Sequence, residues 1–410
     1  MFLQRTRNRN PALIRTAVEL HQAGAIPPNT YVFDVDTFVR NAAVIRHEAD
    51  SYGLHLYFMT KQHGRNPELY RRIVASGSKE TVAVNMECAR ILHRHGLALG
   101  HIGNLVQPAV HELPKILATY QPEVITVFSV AKARQISEAA DLLGMVQPIL
   151  LRVHSRRDTL FPGMEGGFYV DEVPAVARTI SGFGGVKIVG VTTFPVLAYD
   201  RAGIVPTPTP NLRALQEARE VLAQQGIAIT QVNAPGNTAA ITLPFLADAG
   251  VTHVEPGSAL TGSSTFHLYQ EDLPEEPALV YVTEVSHVWD QRIYVMGGGF
   301  FVDDPPVPER AAFVRKALVG ADPDRVLEQE LEWEGIGARG GGTFAAIDYH
   351  GILRTRGALP TVGDSVVFGF RPQLFMTRAY SAVVEGVASV HPRLVGLWDW
   401  AGHRVGGGME

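Results

Sequence analysis

Short apolar runs, each ending in a polar or aromatic residue and each followed by a stretch of helical period, dominate the chain from Leu54 to Gly262. LHLYFMT runs into Lys61, TVAV into Asn85, LGHIG into Asn104 and VITVF into Ser129. PILLRV runs into His154, IVGVTT into Phe194, IAITQV into Asn233 and VTHV into Glu255. Between them lie PELYRRIVASG, MECARILHRHG, AKARQISEAADLLG and NLRALQEAREVLAQQG, with apolar positions three and four apart. Alternation of buried strands with amphipathic helices predicts a parallel (β/α)8 TIM-type barrel. The residues that close the strands then fall on the C-terminal face, where such barrels carry their chemistry.

From about Glu271 the period changes. PALVYVTEVSHVWDQRIYVMGGGFFVDDPP, GGTFAAIDYHGILRTRG and GDSVVFGFRPQLFMTRAYSAVVEG alternate apolar and polar residues between turn glycines, which predicts a mostly antiparallel β domain. Ahead of the barrel, PALIRTAVELHQ predicts an amphipathic helix over about Pro11–Gln22, TYVFDVD a strand, and Thr37–Ser51 a helix. The predicted organisation is residues 1–33 as a helix and strand packing on the β domain, 34–270 as the barrel and 271–410 as the β domain.

Composition narrows the class. At 46% hydrophobic and 19% charged residues the chain can fill a core, and its net charge of −5, with no basic stripe, gives no footing for a nucleic-acid partner. One cysteine, Cys88, rules out an internal disulfide and a multi-cysteine metal site, in keeping with a reducing cytoplasm. No apolar run approaches the ~18 residues of a membrane span. A soluble, cytoplasmic protein is expected.

Three features carry chemistry. Lys61 leaves a buried strand at the barrel mouth beside His63 and Arg65; it either solvates the rim or forms a Schiff base with an aldehyde cofactor. The loops after strands seven and eight, NAPGNTAA and EPGSALTG, offer Gly236, Asn237, Thr238, Gly257 and Ser258 where barrels often bind phosphate; plain helix caps are the alternative. Glu255, between the last strand and its loop, suits a protonated ring nitrogen, or else pairs with a barrel arginine. An amine, two phosphate loops and a carboxylate describe a pyridoxal 5'-phosphate (PLP) site.

The lysine, the IGNLVQP run and the two loops, in this order and spacing, resemble the alanine racemase-like, fold type III PLP enzymes over most of residues 31–270, and within them the YhfX-like branch. The resemblance implies Lys61 as the Schiff-base lysine, with Gly236, Asn237, Thr238, Gly257 and Ser258 around the phosphate. It places Asn104 and Thr193 or Phe194 beside the cofactor ring. It also implies a homodimer with a shared active site. Glu255 stands where alanine racemases have arginine, and deepens the electron sink. Related decarboxylases carry glutamate in an EPGR motif; Ser258 replaces that arginine, which disfavours decarboxylation.

The C-terminal part resembles D-threonine aldolases and D-serine dehydratases, AIDYHGIL standing for their EEHG stretch. Their metal is held by a His-x-Cys pair, where this chain reads RPQLF, with Gln373 and Phe375 in place of both ligands; no metal is expected. Tyr349 and His350 are candidate acid–base groups, Asp348 and His287 lesser ones. The Gly297–Gly299 run suits either a close approach to the shared site or a strand bulge. The expected activity is racemisation of an amino acid, a small-molecule substrate, with Lys61 as base on one face and Tyr349 or His350 on the other. The alternatives are a metal-independent lyase and, since carrier proteins of this type lack a second domain, a less favoured PLP-carrier protein.

Overall fold

The apolar runs form the parallel strands His55–Leu56, Phe58–Met59, Thr81–Ala83, Leu99–Ile102, Val124–Val127, Gln147–His154, Val186–Thr192, Gln231–Asn233 and His253–Val254. The computed structural model describes residues 2–157, 163–200, 205–300, 316–336, 348–355, 357–389 and 391–406. His55–Leu56 pairs with His253–Val254, and Phe58–Met59, one residue further on, pairs with Thr81–Ala83. The N–H groups of Tyr57 and Met59 donate to the carbonyls of Val254 and Pro256, both at 2.9 Å. First and last strands therefore meet in a nearly closed barrel, and with residues 55–59 taken as one stretch the described residues show the eight strands that the pattern predicts.

Packing divides the chain into two compact units. One is Ala43–Thr60 with Tyr70–Gly257 and contains the barrel; the other is Met1–Ala42, Lys61–Leu69 and Ser258–Glu410.

Within the barrel unit, helices such as Met86–Arg94, Val130–Leu142 and Pro210–Gln224 follow strands and bury their apolar stripes. Two of the polar residues that close strands are helix caps. Asn85 accepts the N–H of Cys88 at 3.0 Å and Ser129 that of Lys132 at 3.1 Å, satisfying donors that the first turn leaves open. Gly190 pairs with Gln231, and a Cβ on it would lie 1.9 Å from the Gln231 carbonyl oxygen. Gly190→Ala is therefore expected to force two strands apart and cost about 3 kcal/mol. A urea midpoint equal to that of the parent chain would remove this reading.

In the other unit, Leu279–Trp289, Arg292–Met296, His350–Arg354, Glu330–Ile336, Lys316–Gly320 and Ser365–Phe368 pair antiparallel in that order. Ser365–Phe368 returns to Leu279–Trp289, so the described strands close a ring. Thr30–Asp34 joins beside it, antiparallel to Leu279–Trp289 and parallel to Tyr380–Glu385. Helix Pro11–Gln22 starts at Asn10, whose side chain accepts the N–H of Leu13 at 3.3 Å. Its Leu13, Ile14, Ala17 and Val18 pack with Val32, Val282, Val367 and Val384, each contributing on the order of 1.5–3 kcal/mol through burial, alanine less.

Two buried histidines make the chain acid-sensitive. His63 lies edge-on to Phe33 and Phe38 in one unit, and His253 lies in the barrel; burial pushes both to about 3. A histidine depressed in the folded state binds its proton only on unfolding. Each contributes stability that is full above pH ~6.5 and is lost as pH falls toward 3, at about 1.4 kcal/mol per pH unit. Denaturant titrations between pH 6 and 4 are expected to show this slope, reduced by one proton in His63→Phe. An unaltered slope in that variant would remove His63 from the account.

Candidate active site

The last barrel strand, His253–Val254, ends at Glu255, which is 5% exposed. One carboxylate oxygen is held twice. Oε1 accepts from His101 Nδ1 at 2.6 Å and from Asn233 Nδ2 at 2.8 Å. His101 comes from strand Leu99–Ile102 and is fully buried; its Nε2 lies 2.6 Å from the Thr126 hydroxyl on the neighbouring strand Val124–Val127. Nδ1 carries the hydrogen that the carboxylate accepts, and Nε2 shares a hydrogen bond with the Thr126 hydroxyl. Glu255 Oε2 is buried and has no hydrogen-bond partner among the described residues.

The same holds for other residues just beyond strand ends. Asn104 Oδ1, Thr193 Oγ1 and Thr238 Oγ1 are buried and without partner among the described residues. An unsatisfied buried polar atom costs on the order of 1–3 kcal/mol, and native proteins hold few of them away from ligand sites. Asn104 is placed by its own carbonyl, which accepts from Arg152 Nη1 at 2.6 Å. Gly236, at φ +111°, faces the Phe194 ring, which a Cβ on it would meet at 3.2 Å, so glycine lets loop and ring approach. Asn237 donates from Nδ2 to the Leu197 carbonyl at 3.1 Å. Gly257 ends the barrel unit.

Lys61 and Ser258 are each one peptide bond past that unit's segments. Lys61 opens the short helix Lys61–His63, and its Nζ stands 6.0 Å from the centre of the Phe375 ring. Close packing fixes this corner, since a Cβ on Gly64 would lie 2.3 Å from Leu374 Cδ2. Ser258 Oγ accepts from Arg371 Nε at 3.1 Å. The RPQLF stretch thus touches both the lysine and the loop serine of its unit, a relation that no spacing reveals.

Tyr349 and His350 belong to a different cluster. The His350 ring meets His287 at 5.2 Å, edge to face, and His287 stacks on Tyr294 at 4.5 Å. Burial and the neighbouring His287 lower the pKa of His350, so it is a base at neutral pH. The Tyr349 side chain is 69% exposed. Asp348 is occupied structurally, accepting from Gly298 N–H at 2.9 Å and Arg378 at 2.7 Å. The glycine run packs inside this unit, Gly297 N–H donating to the Tyr349 carbonyl.

Sequence reasoning missed His101, Thr126 and Arg371. A histidine inside the apolar run LGHIG, in phase with Leu99, is the signal that was present.

The model of the alanine racemase N-terminal domain matches residues 33–265, and that of the YhfX-like C-terminal domain residues 280–394. Uncharacterized protein YhfX of Escherichia coli (strain K12) is 38% identical over 407 residues, covering 99% of this chain and 100% of that protein. The chain belongs to the alanine racemase-like family, in its YhfX-like branch. Among solved structures, alanine racemase from Clostridium difficile 630 in complex with cycloserine is 14% identical, with TM-score 0.60 and coverage of 91% and 98%. D-threonine aldolase from Filomicrobium marinum is 16% identical, with TM-score 0.59 and coverage of 91% and 95%. D-threo-3-hydroxyaspartate dehydratase from Delftia sp. HT23 is 19% identical, with TM-score 0.60 and coverage of 90% and 97%. Solved structures that share this fold thus carry names of different reactions.

Proposed function

We propose that the chain is a PLP-dependent amino-acid racemase. The observation that carries the reading is Glu255, which holds two donors on one oxygen and is buried with no partner among the described residues on the other. An acceptor of that kind fits the N–H of a protonated pyridine ring. The unpaired Asn104, Thr193 and Thr238 atoms fit the polar edge and phosphate of the same group, with Phe194, Gly236, Asn237, Gly257 and Ser258 beside them in the chain. We assign PLP binding to residues 34–270 and the completing β structure to 271–410, with 1–33 attached to the latter.

When bound, PLP supplies the electron sink that lets an amino acid's α-proton leave. Lys61 provides the amine that holds the cofactor aldehyde and takes or returns that proton on one face. On the other face we assign the proton to His350, neutral and basic, or to Tyr349, supplied by a second copy of the chain. We further propose a homodimer in which a second copy covers the exposed Tyr349, Met376 and Trp400 (69%, 56% and 49% exposed). A metal-independent lyase is the second reading, favoured by the likeness to an aldolase and a dehydratase as well as to alanine racemase.

The test is α-proton exchange in deuterated water with added PLP, over a panel of single-enantiomer amino acids, followed by NMR and chiral analysis. Exchange with loss of optical purity is the expected result. Exchange with retained configuration, together with a keto or aldehyde product, would establish the lyase instead. Bound PLP without exchange on any substrate would leave a carrier.

A further inference from the structure

We propose that His101 is a positioning residue which, with Thr126 and Asn233, holds one oxygen of Glu255 and turns the other toward the N–H of a cationic heteroaromatic ring. The proposal rests on the reading that Glu255 receives the PLP ring nitrogen, and adds what makes it able to do so.

A lone carboxyl group in a barrel interior would give up its charge, because burial disfavours the ionised form. Glu255 is 5% exposed, and the residues around it, His101, Thr126 and Asn233, are wholly buried. What offsets desolvation is the pair of donors on Oε1, of which His101 Nδ1–H at 2.6 Å is the shorter. That contact crosses the barrel interior, since strands 55–59 and Thr81–Ala83 separate the two residues around the wall. The Thr126 hydroxyl, 2.6 Å from Nε2, fixes which ring nitrogen carries the hydrogen. Removing this hydroxyl frees the ring to take the other tautomer, which would turn a lone pair on Oε1.

Other polar groups of the barrel interior are engaged elsewhere. His253, 5.3 Å from the Tyr57 ring, is held neutral by burial, and Tyr57, 6.1 Å from His101, keeps its proton for the same reason. Gln231 takes up the side chain of Glu123 at 3.0 Å, and buried Arg152 donates to the carbonyls of Asn104 and Met164. The second oxygen of Glu255 is therefore complementary to a ring N–H, and not to a ring C–H.

The experiment compares the dissociation constants of PLP and its 1-deaza analogue, in which a C–H replaces the ring nitrogen, by fluorescence titration of the full chain. Wild type is expected to prefer PLP by at least about tenfold, the lower end for a hydrogen bond to a charged group. His101→Leu and Thr126→Val are expected to reduce that preference severalfold, with affinity for the deaza analogue little changed, and His101→Asn, which restores an N–H donor, to recover part of it. Near-UV circular dichroism checks that each variant is folded; Thr126→Val removes one hydroxyl and keeps the test open should His101→Leu misfold. Wild-type preference in both Thr126→Val and His101→Leu, alongside its loss in Glu255→Gln, would overturn the proposal and leave His101 a packing residue. No preference in the wild type would remove the ring-nitrogen assignment of Glu255 itself, and the proposal with it.

Discussion

Lys61→Ala is expected to abolish α-proton exchange, lowering its rate by at least about 10⁴-fold, while leaving the fold intact. The size of the effect follows from the two tasks proposed for one amine. It attaches the cofactor aldehyde, and it carries the α-proton on one face. Losing a positioned general base alone is worth about 10²–10⁴, and loss of the covalent link comes on top. Stability is a separate matter. Lys61 is half-buried at the start of a three-residue helix, and one of its contacts is the Phe375 ring, 6.0 Å from Nζ. Truncation there removes little packed apolar surface, so the change in unfolding free energy is expected within about 1 kcal/mol. The measurement pairs exchange rates with the absorbance spectrum of the PLP-loaded protein. A variant that kept the wild-type spectrum and exchanged within tenfold of the wild-type rate would show that another group does both jobs.

Glu255→Gln is expected to slow exchange by about 10²–10³, the range for removing a preorganised electrostatic contact at a reacting centre. The substitution nearly preserves shape. Its amide oxygen can still accept from His101 Nδ1 and Asn233 Nδ2, at 2.6 and 2.8 Å in the parent chain. What changes is the other arm, where an NH2 replaces Oε2 and meets a ring N–H with a donor instead of an acceptor. The variant should fold and bind PLP more weakly, with its preference over the deaza analogue gone. Steady-state exchange kinetics decide the matter: a Glu255→Gln enzyme as fast as wild type would mean that the ring nitrogen is served elsewhere. Glu255→Ala is a poorer test, because it also leaves His101 and Asn233 with buried donors unpaired.

Much of the fold was legible in hydrophobic period. Runs such as VITVF and PILLRV, apolar on consecutive positions, are what a strand covered on both faces requires, and they became Val124–Val127 and Gln147–His154. The change to alternation after Glu271 marked the antiparallel strands, and the four apolar positions of PALIRTAVELHQ that face the core marked helix Pro11–Gln22. Local chemistry was legible only as possibility. Asn85 and Ser129 closed strands just as Asn104 and Glu255 did, yet the first two cap helices.

The sequence alone determined the strand and helix periods, hence the barrel and the β structure that follows it, because these depend on neighbours one to four residues away. It also put Lys61 and Glu255 at strand ends. Only the tertiary structure decided what those groups meet. The His101–Glu255 hydrogen bond joins residues 154 apart in the chain, and Arg371 reaches Ser258 across 113. Contacts of that range are set by how strands turn around a barrel and how loops pack, and a side chain's partner there leaves no periodic trace along the chain.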